Sequence, residues 1–181
     1  MFHLNKQIKL KNDNILEIAK PSIEDAQKIV SFLNSVGGES DFLTFGLNEF
    51  PLSIQEEKTS IVESLKSNQT LMLLGKINQE IVSQLYVDRT NNNRLSHIGE
   101  VAVSVKKVFW GYSIGAHMMS TAILWAKENG INKLHLHVRV DNDPAIHLYK
   151  KLGFVIEGQI SKAVKIKDVY FDNYVMGLIL D

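Results

Sequence analysis

The stretch "GEVAVSVKKVFWGYSIGAHMM", residues 99–119, decides the fold. Its first half alternates like a strand. Ile114, Met118, Ala122 and Trp125 then recur at helical spacing, and Gly130 stops that helix. Gly111 and Gly115 stand between the two patterns, at the mouth of the helix. A helix N-terminus offers unpaired N–H groups and the positive end of a dipole, so a phosphate can lie against the backbone there. A tight turn is the plainer account of two glycines taken alone, and the surrounding sequence has to decide.

Downstream, "KLHLHVRV" (133–140) reads as a buried strand. "DPAIHLYKKLG" (143–153) reads as a helix with Asp143 as N-cap, Pro144 in the first turn and Gly153 at its close. "FVIEGQI" and "DVYFDNYVMGLIL" finish the chain as strands. Upstream, "QIKLKNDNILEIAK" alternates on both sides of Asn12-Asp13, which predicts a hairpin. Ser22 caps a helix carrying Ile23, Ala26, Ile29, Val30 and Leu33, closed by Gly37-Gly38. Residues 39–52 read as an ordered loop with Phe42, Phe45 and Phe50. Ser53 caps a second helix to about Lys66, with Ile54, Ile61, Val62 and Leu65 facing inward. "TLMLLGKI" and "EIVSQLYVDR" flank Asn78-Gln79 as a hairpin, and "LSHIGEVAVSVKKV" is the longest strand-like run. Met118 and Met119 are assigned to the core.

The 181 residues suit one domain, taken as 1–181. Twenty basic and twenty acidic residues cancel, which argues against a dedicated nucleic-acid binder. With no cysteine, thiolate metal sites and cysteine nucleophiles are excluded. "MFHLNKQIKLKND" has no apolar leader core, and no run of about 18 apolar residues exists to span a membrane. A cytoplasmic protein without membrane contact is the expectation. Neither a P-loop nor a Rossmann glycine pattern is present.

The glycine loop and the later helix, taken together, resemble the GNAT superfamily of acetyl-CoA-dependent N-acetyltransferases. The family's loop, Q/R-x-x-G-x-G/A, aligns with Trp110-Gly111-Tyr112-Ser113-Ile114-Gly115. Its second signature, an asparagine followed by A-x-x-L/F-Y-x-x-x-G-F, aligns with Asn142, Ala145, Leu148, Tyr149, Gly153 and Phe154. The resemblance runs from about Ile15 to Leu180. Trp110 stands at the Q/R position and Ser113 replaces the first motif glycine. Serine resists positive φ, yet its hydroxyl is also a phosphate donor; both readings stand.

The resemblance implies a mixed α+β fold. A mostly antiparallel sheet of about seven strands, splayed in the middle, would carry helices on both faces. It implies acetyl-CoA as cosubstrate and direct transfer to a primary amine, with a small-molecule acceptor favoured and no metal. A noncatalytic acyl-CoA sensor and a protein N-terminal or lysine acetyltransferase are the alternatives. A homodimer is the assembly considered; the sequence does not name one.

An amine of pKa about 10.4 must lose a proton before it attacks. Glu100 is the candidate base, through water, and Tyr149 the candidate acid for the departing thiolate. Val103 and Val105 would offer backbone amides to the thioester arm. Gly111, Tyr112, Ser113, Ile114, Gly115, Ala116 and His117 would present amides to the diphosphate beside Trp110. Asn142 and Ala145 would hold the pantetheine arm. Lys106, Lys107, Lys150 and Lys151 are solvated or near phosphate. Glu39, Asp41 and Phe42, with Phe45 and Tyr170, are candidates for holding a cationic amine. A structured loop whose aromatics fill the core is the plainer reading of the same residues. His135 and His137 alternate on one strand face without a third ligand, so they read as packing or surface residues. Asp168 and Asp172 read as a loop and a strand end.

Overall fold

The computed structural model describes residues 5–180. The first four residues, part of the stretch read for a leader, and Asp181 lie outside the described residues. Among the described residues eight strands form one sheet, against about seven expected: β1 (Lys6–Lys9), β2 (Ile15–Ala19), β3 (Thr70–Ile77), β4 (Glu80–Arg89), β5 (Ile98–Val105), β6 (Lys133–Arg139), β7 (Val155–Ile166) and β8 (Val169–Ile179). Their order is β1-β2-β3-β4-β5-β6-β8-β7. Every neighbouring pair is antiparallel except β5 with β6. Four helices complete the fold: α1 (Ala26–Gly37), α2 (Ile54–Lys66), α3 (Ile114–Glu128) and α4 (Asp143–Lys151).

Two apolar clusters show which face each helix covers. Ala26, Ile29, Phe32 and Leu33 of α1 and Ile61 of α2 pack with Met72, Leu74 and Ile81. Met118, Met119, Ala122 and Trp125 of α3 and Ile146 and Tyr149 of α4 pack with Leu71, Leu73, Leu85, Val87 and Val101. Alternate residues of β3 therefore serve opposite layers, and its burial on both faces explains its nearly continuous apolar run.

Several boundaries differ from the sequence reading. The inner stripe of α2 is Glu57, Ile61 and Ser64, whereas Ile54 and Leu65 are exposed. The run 95–108 yields only Ile98–Val105 as strand, because Lys107–Phe109 forms a 3-10 turn. β7 is the longest strand at twelve residues, and it continues past "FVIEGQI" to Ile166. Asp172 lies within β8, accepting from the Lys162 amide at 2.8 Å, rather than at a strand end. Asn142, not Asp143, is the N-cap of α4.

Candidate active site

The gap that positions the site opens between β5 and β6. Their parallel pairing consists of Ile98↔Lys133, Gly99↔Leu134 and Glu100↔His135, and it ends there. Backbone groups along a strand alternate between its two edges. The Lys106 amide donates to the Val82 carbonyl on the β4 side at 2.9 Å. Val103 and Val105 therefore turn their amides toward the gap. Trp110 Nε1 donates to the Val105 carbonyl at 2.8 Å, so the indole takes that acceptor and leaves the amide.

Beyond the 3-10 turn the chain enters α3 through a run of free donors. Among the described residues, the amides of Gly111, Tyr112, Ser113, Ile114, Gly115 and Ala116 have no protein acceptor. The preceding amide, of Trp110, donates to Lys107, and the following one, of His117, donates to the Ser113 carbonyl at 3.1 Å. Trp110 and His117 were expected to serve the cofactor, but their amides are spent. The six between them are unpartnered donors leading into a helix N-terminus, where an anionic diphosphate is favoured.

The two glycines differ in purpose. Gly111 has φ +85°, a turn requirement, with nothing within 4 Å of an added Cβ. A Cβ at Gly115 would sit 3.2 Å from Leu148 Cδ2, so its hydrogen lets α3 approach α4. Ser113 adopts φ 63° and ψ 15°, the left-handed conformation its glycine counterpart would take freely.

On α4, Asn142 Oδ1 accepts from the Ala145 amide at 3.3 Å. Capping uses the oxygen and leaves the side-chain NH₂ as a donor, so the structural and ligand-binding readings of Asn142 coexist. Ala145's amide is spent, and only its methyl can line a pantetheine channel. Tyr149 is 9% exposed, its ring 5.9 Å from that of Phe154. Burial pushes its phenol up to about 12. Lys106 pairs with Glu80, and Lys107 Nζ lies 5.9 Å from the Trp110 ring.

On the opposite face of the sheet a cavity of about 360 Å³ lies under the α1–α2 loop. Its roof is Leu33, Leu43, Phe45, Phe50 and Leu52; its floor includes Met72, Gln84, Tyr86 and Ala102–Ser104 of β5. Phe45 and Phe50 meet edge to face, centroids 5.4 Å apart. Glu39, Asp41 and Phe42 do not line it. Glu39 accepts from the Lys107 amide at 2.6 Å, the Asp41 carbonyl accepts from Arg139 Nη1 at 2.8 Å, and Phe42 lies under the Arg139 guanidinium. The loop's polar groups anchor it, and its apolar ones shape the cavity. Tyr170 also lies elsewhere, exposed on β8 with Lys162 and Lys165 over its ring.

Two positions along the cavity floor, Asp88 faces Glu100 across β4 and β5, and His135 faces Glu100 across β5 and β6. His135 Nε2 lies 3.8 Å from Glu100 Oε2. The sequence reading names Glu100, leaves Asp88 unnamed and sets His135 aside. Only the strand register brings the three into one row. Among the described residues no three His, Asp or Glu side chains gather to hold a metal, and no helix is long and apolar enough to cross a membrane. A second concavity, of about 430 Å³, on the outer side of α2 shares no residue with β5.

The model of the acetyltransferase (GNAT) family matches residues 41–154. L-amino acid N-acetyltransferase AaaT of Escherichia coli (strain K12) is 31% identical over 108 residues, 58% of this chain and 65% of that protein. Mycothiol acetyltransferase of Brachybacterium faecium is 25% identical over 89 residues, 49% of this chain and 27% of that one. The matched stretches thus span less than two thirds of either relative. The crystal structure of an acetyltransferase of the GNAT family from Streptococcus pneumoniae superposes with a TM-score of 0.88 at 31% identity, covering 92% of this chain and 99% of that one. The fold also matches yncA of Salmonella typhimurium, solved with its cofactor acetyl-CoA, with a TM-score of 0.81 at 16% identity over 92% of this chain and 94% of that one.

Proposed function

The chain belongs to the acetyltransferase (GNAT) family, and from that premise we propose that it moves an acetyl group from acetyl-CoA to the amine of a small molecule. The six unpartnered amides of Gly111–Ala116 carry this reading, because they supply what a diphosphate needs and what little else does. The Val103 and Val105 amides and the Asn142 NH₂ would hold the acyl-bearing arm in the gap. Acetyl-CoA supplies the activated acyl group when bound. The same ligand is present in the Salmonella typhimurium fold relative. AaaT's name carries L-amino acids as acceptors; the cavity supports the coarser class of small-molecule amine.

The row at the cavity end gives the chain its base. Glu100, with His135 and Asp88 beside it, takes the ammonium proton through water. The amine lone pair then attacks the thioester carbonyl, whose developing charge the Val103 amide meets. Such a donor is worth about 3 kcal/mol in comparable sites. The C–S bond breaks, the sulfur leaves with the Tyr149 proton, the nitrogen gives up its second proton through water, and one of the two protons taken from nitrogen restores Tyr149 while the other is released to solvent. No covalent acyl-enzyme is required, and the chain has no cysteine to form one.

A phenol near 12 is a weaker acid than a free one, so proton transfer to a thiolate of ordinary pKa about 8.5 is more uphill than in water. A thiolate released into the same buried surroundings is itself driven up, which narrows the difference. Tyr149→Phe is expected to cut kcat about 100-fold with coenzyme A affinity within a factor of about two. Thiol-release kinetics and calorimetry check the pair. Unchanged kcat would remove Tyr149 from the chemistry, and absence of coenzyme A binding by the wild-type protein would remove the proposal.

A further inference from the structure

Resting on the acetyl-transfer reading, we infer that the acceptor is a monoamine with a compact apolar or aromatic body and no carboxylate. Leu33, Leu43, Phe45, Phe50, Leu52 and Met72 supply most of the cavity wall. Its polar members, Ser60, Gln84, Tyr86 and Ser104, are all neutral at pH 7. At about 360 Å³ the cavity is at the small end of the roughly 300–1,000 Å³ range of small-molecule sites. An arylalkylamine fits within that volume.

A carboxylate on the acceptor would need a cation, because a buried unpaired charge is strongly disfavoured. Among the described residues no cation lines the cavity, and Arg139, Lys76 and Lys106 each hold a carboxylate of their own. Arg139 holds Asp141 through Nε at 2.9 Å and Nη2 at 2.5 Å. Lys76 pairs with Asp25 at 2.8 Å and Lys106 with Glu80. The acidic end of the same floor, Asp88 and Glu100, attracts an ammonium head. A second ammonium, as in a diamine, would meet only neutral groups such as Gln84 and Ser104 at the other end, with no carboxylate in the cavity lining to pair it. One cationic head and one apolar body is the pattern the cavity accepts.

The test is an acceptor panel with acetyl-CoA, read as thiol release and product mass. It compares phenethylamine with L-phenylalanine, isoamylamine with L-leucine, and includes putrescine. The two apolar monoamines are expected to exceed their carboxylated partners and putrescine by at least about 100-fold in kcat/KM. Phe45→Ala is expected to raise the phenethylamine KM about tenfold with kcat nearly unchanged. Equal or better turnover of L-phenylalanine, L-leucine or putrescine overturns this inference and leaves acetyl transfer standing. An unchanged KM in Phe45→Ala overturns the placement of the acceptor in this cavity. No turnover of any panel member defeats the inference, and coenzyme A calorimetry then shows whether the acetyl-transfer reading has fallen with it.

Discussion

Ser113 holds φ 63° where glycine would be unstrained, at the last residue before α3. Its side chain caps nothing. Left-handed backbone costs an ordinary L-residue about 1 kcal/mol relative to glycine. Ser113→Gly is therefore expected to stabilise the fold by about that amount, raising Tm by roughly 2–4 °C by calorimetry. Tyr149 gives a second check at this scale. Folded, its phenol keeps its proton to about 12. An unfolded tyrosine releases its proton near about 10, so the folded state loses a few kcal/mol as pH rises between those values. Below that window the contribution is fully present. Denaturant titrations of wild type and Tyr149→Phe should diverge only above about pH 10.

The helices and strands were legible in the sequence wherever local chemistry fixes them. Ser53 caps α2 and its partner Glu56 closes the box, so the start at Ile54 follows from two residues. Asn78-Gln79 has positive φ at both positions, the tight turn that joins β3 to β4. What could not be read is which residues meet across strands. The row Asp88, Glu100, His135 depends on register. The stripe of α2 was misread for a related reason: Ile54, Val62 and Leu65 fit a helical period, but the sheet lies under Glu57 and Ile61. Glu57 is 2% exposed and its Oε1 has no hydrogen-bond partner, so burial pushes its carboxyl up. That group favours the fold when protonated, and the benefit is lost as pH rises through its raised pKa. Glu57→Gln should stabilise at pH 7 by about 1 kcal/mol, with the difference vanishing below about pH 4. Thermal melts across that range would show it.

Across the whole molecule, the α1–α2 loop is tied at two places to the elements that flank the gap. Glu39 holds the Lys107 amide, in the turn that precedes the free amides. Arg139, 7% exposed, binds the Asp41 carbonyl and lies 3.7 Å from the centroid of Phe171 and 5.1 Å from that of Phe42. It joins β6, β8 and the α1–α2 loop. The motif residues were legible because family spacing marks them, but this clasp was not, since its partners lie far apart in the chain. Arg139→Ala should cost about 2 kcal/mol of stability through lost stacking and pairing. It should raise the acceptor KM while leaving coenzyme A affinity near wild type. Steady-state kinetics beside calorimetry would separate the two.

The central claim is that the amides entering α3 cradle the diphosphate of the acyl donor. Amide-resolved NMR of the ¹⁵N-labelled protein titrated with coenzyme A tests it most directly. The account predicts saturable shifts concentrated at Gly111–Ala116, with smaller ones at Val103 and Val105. Saturable binding that leaves Gly111–Ala116 unmoved, or no binding at all, would contradict it.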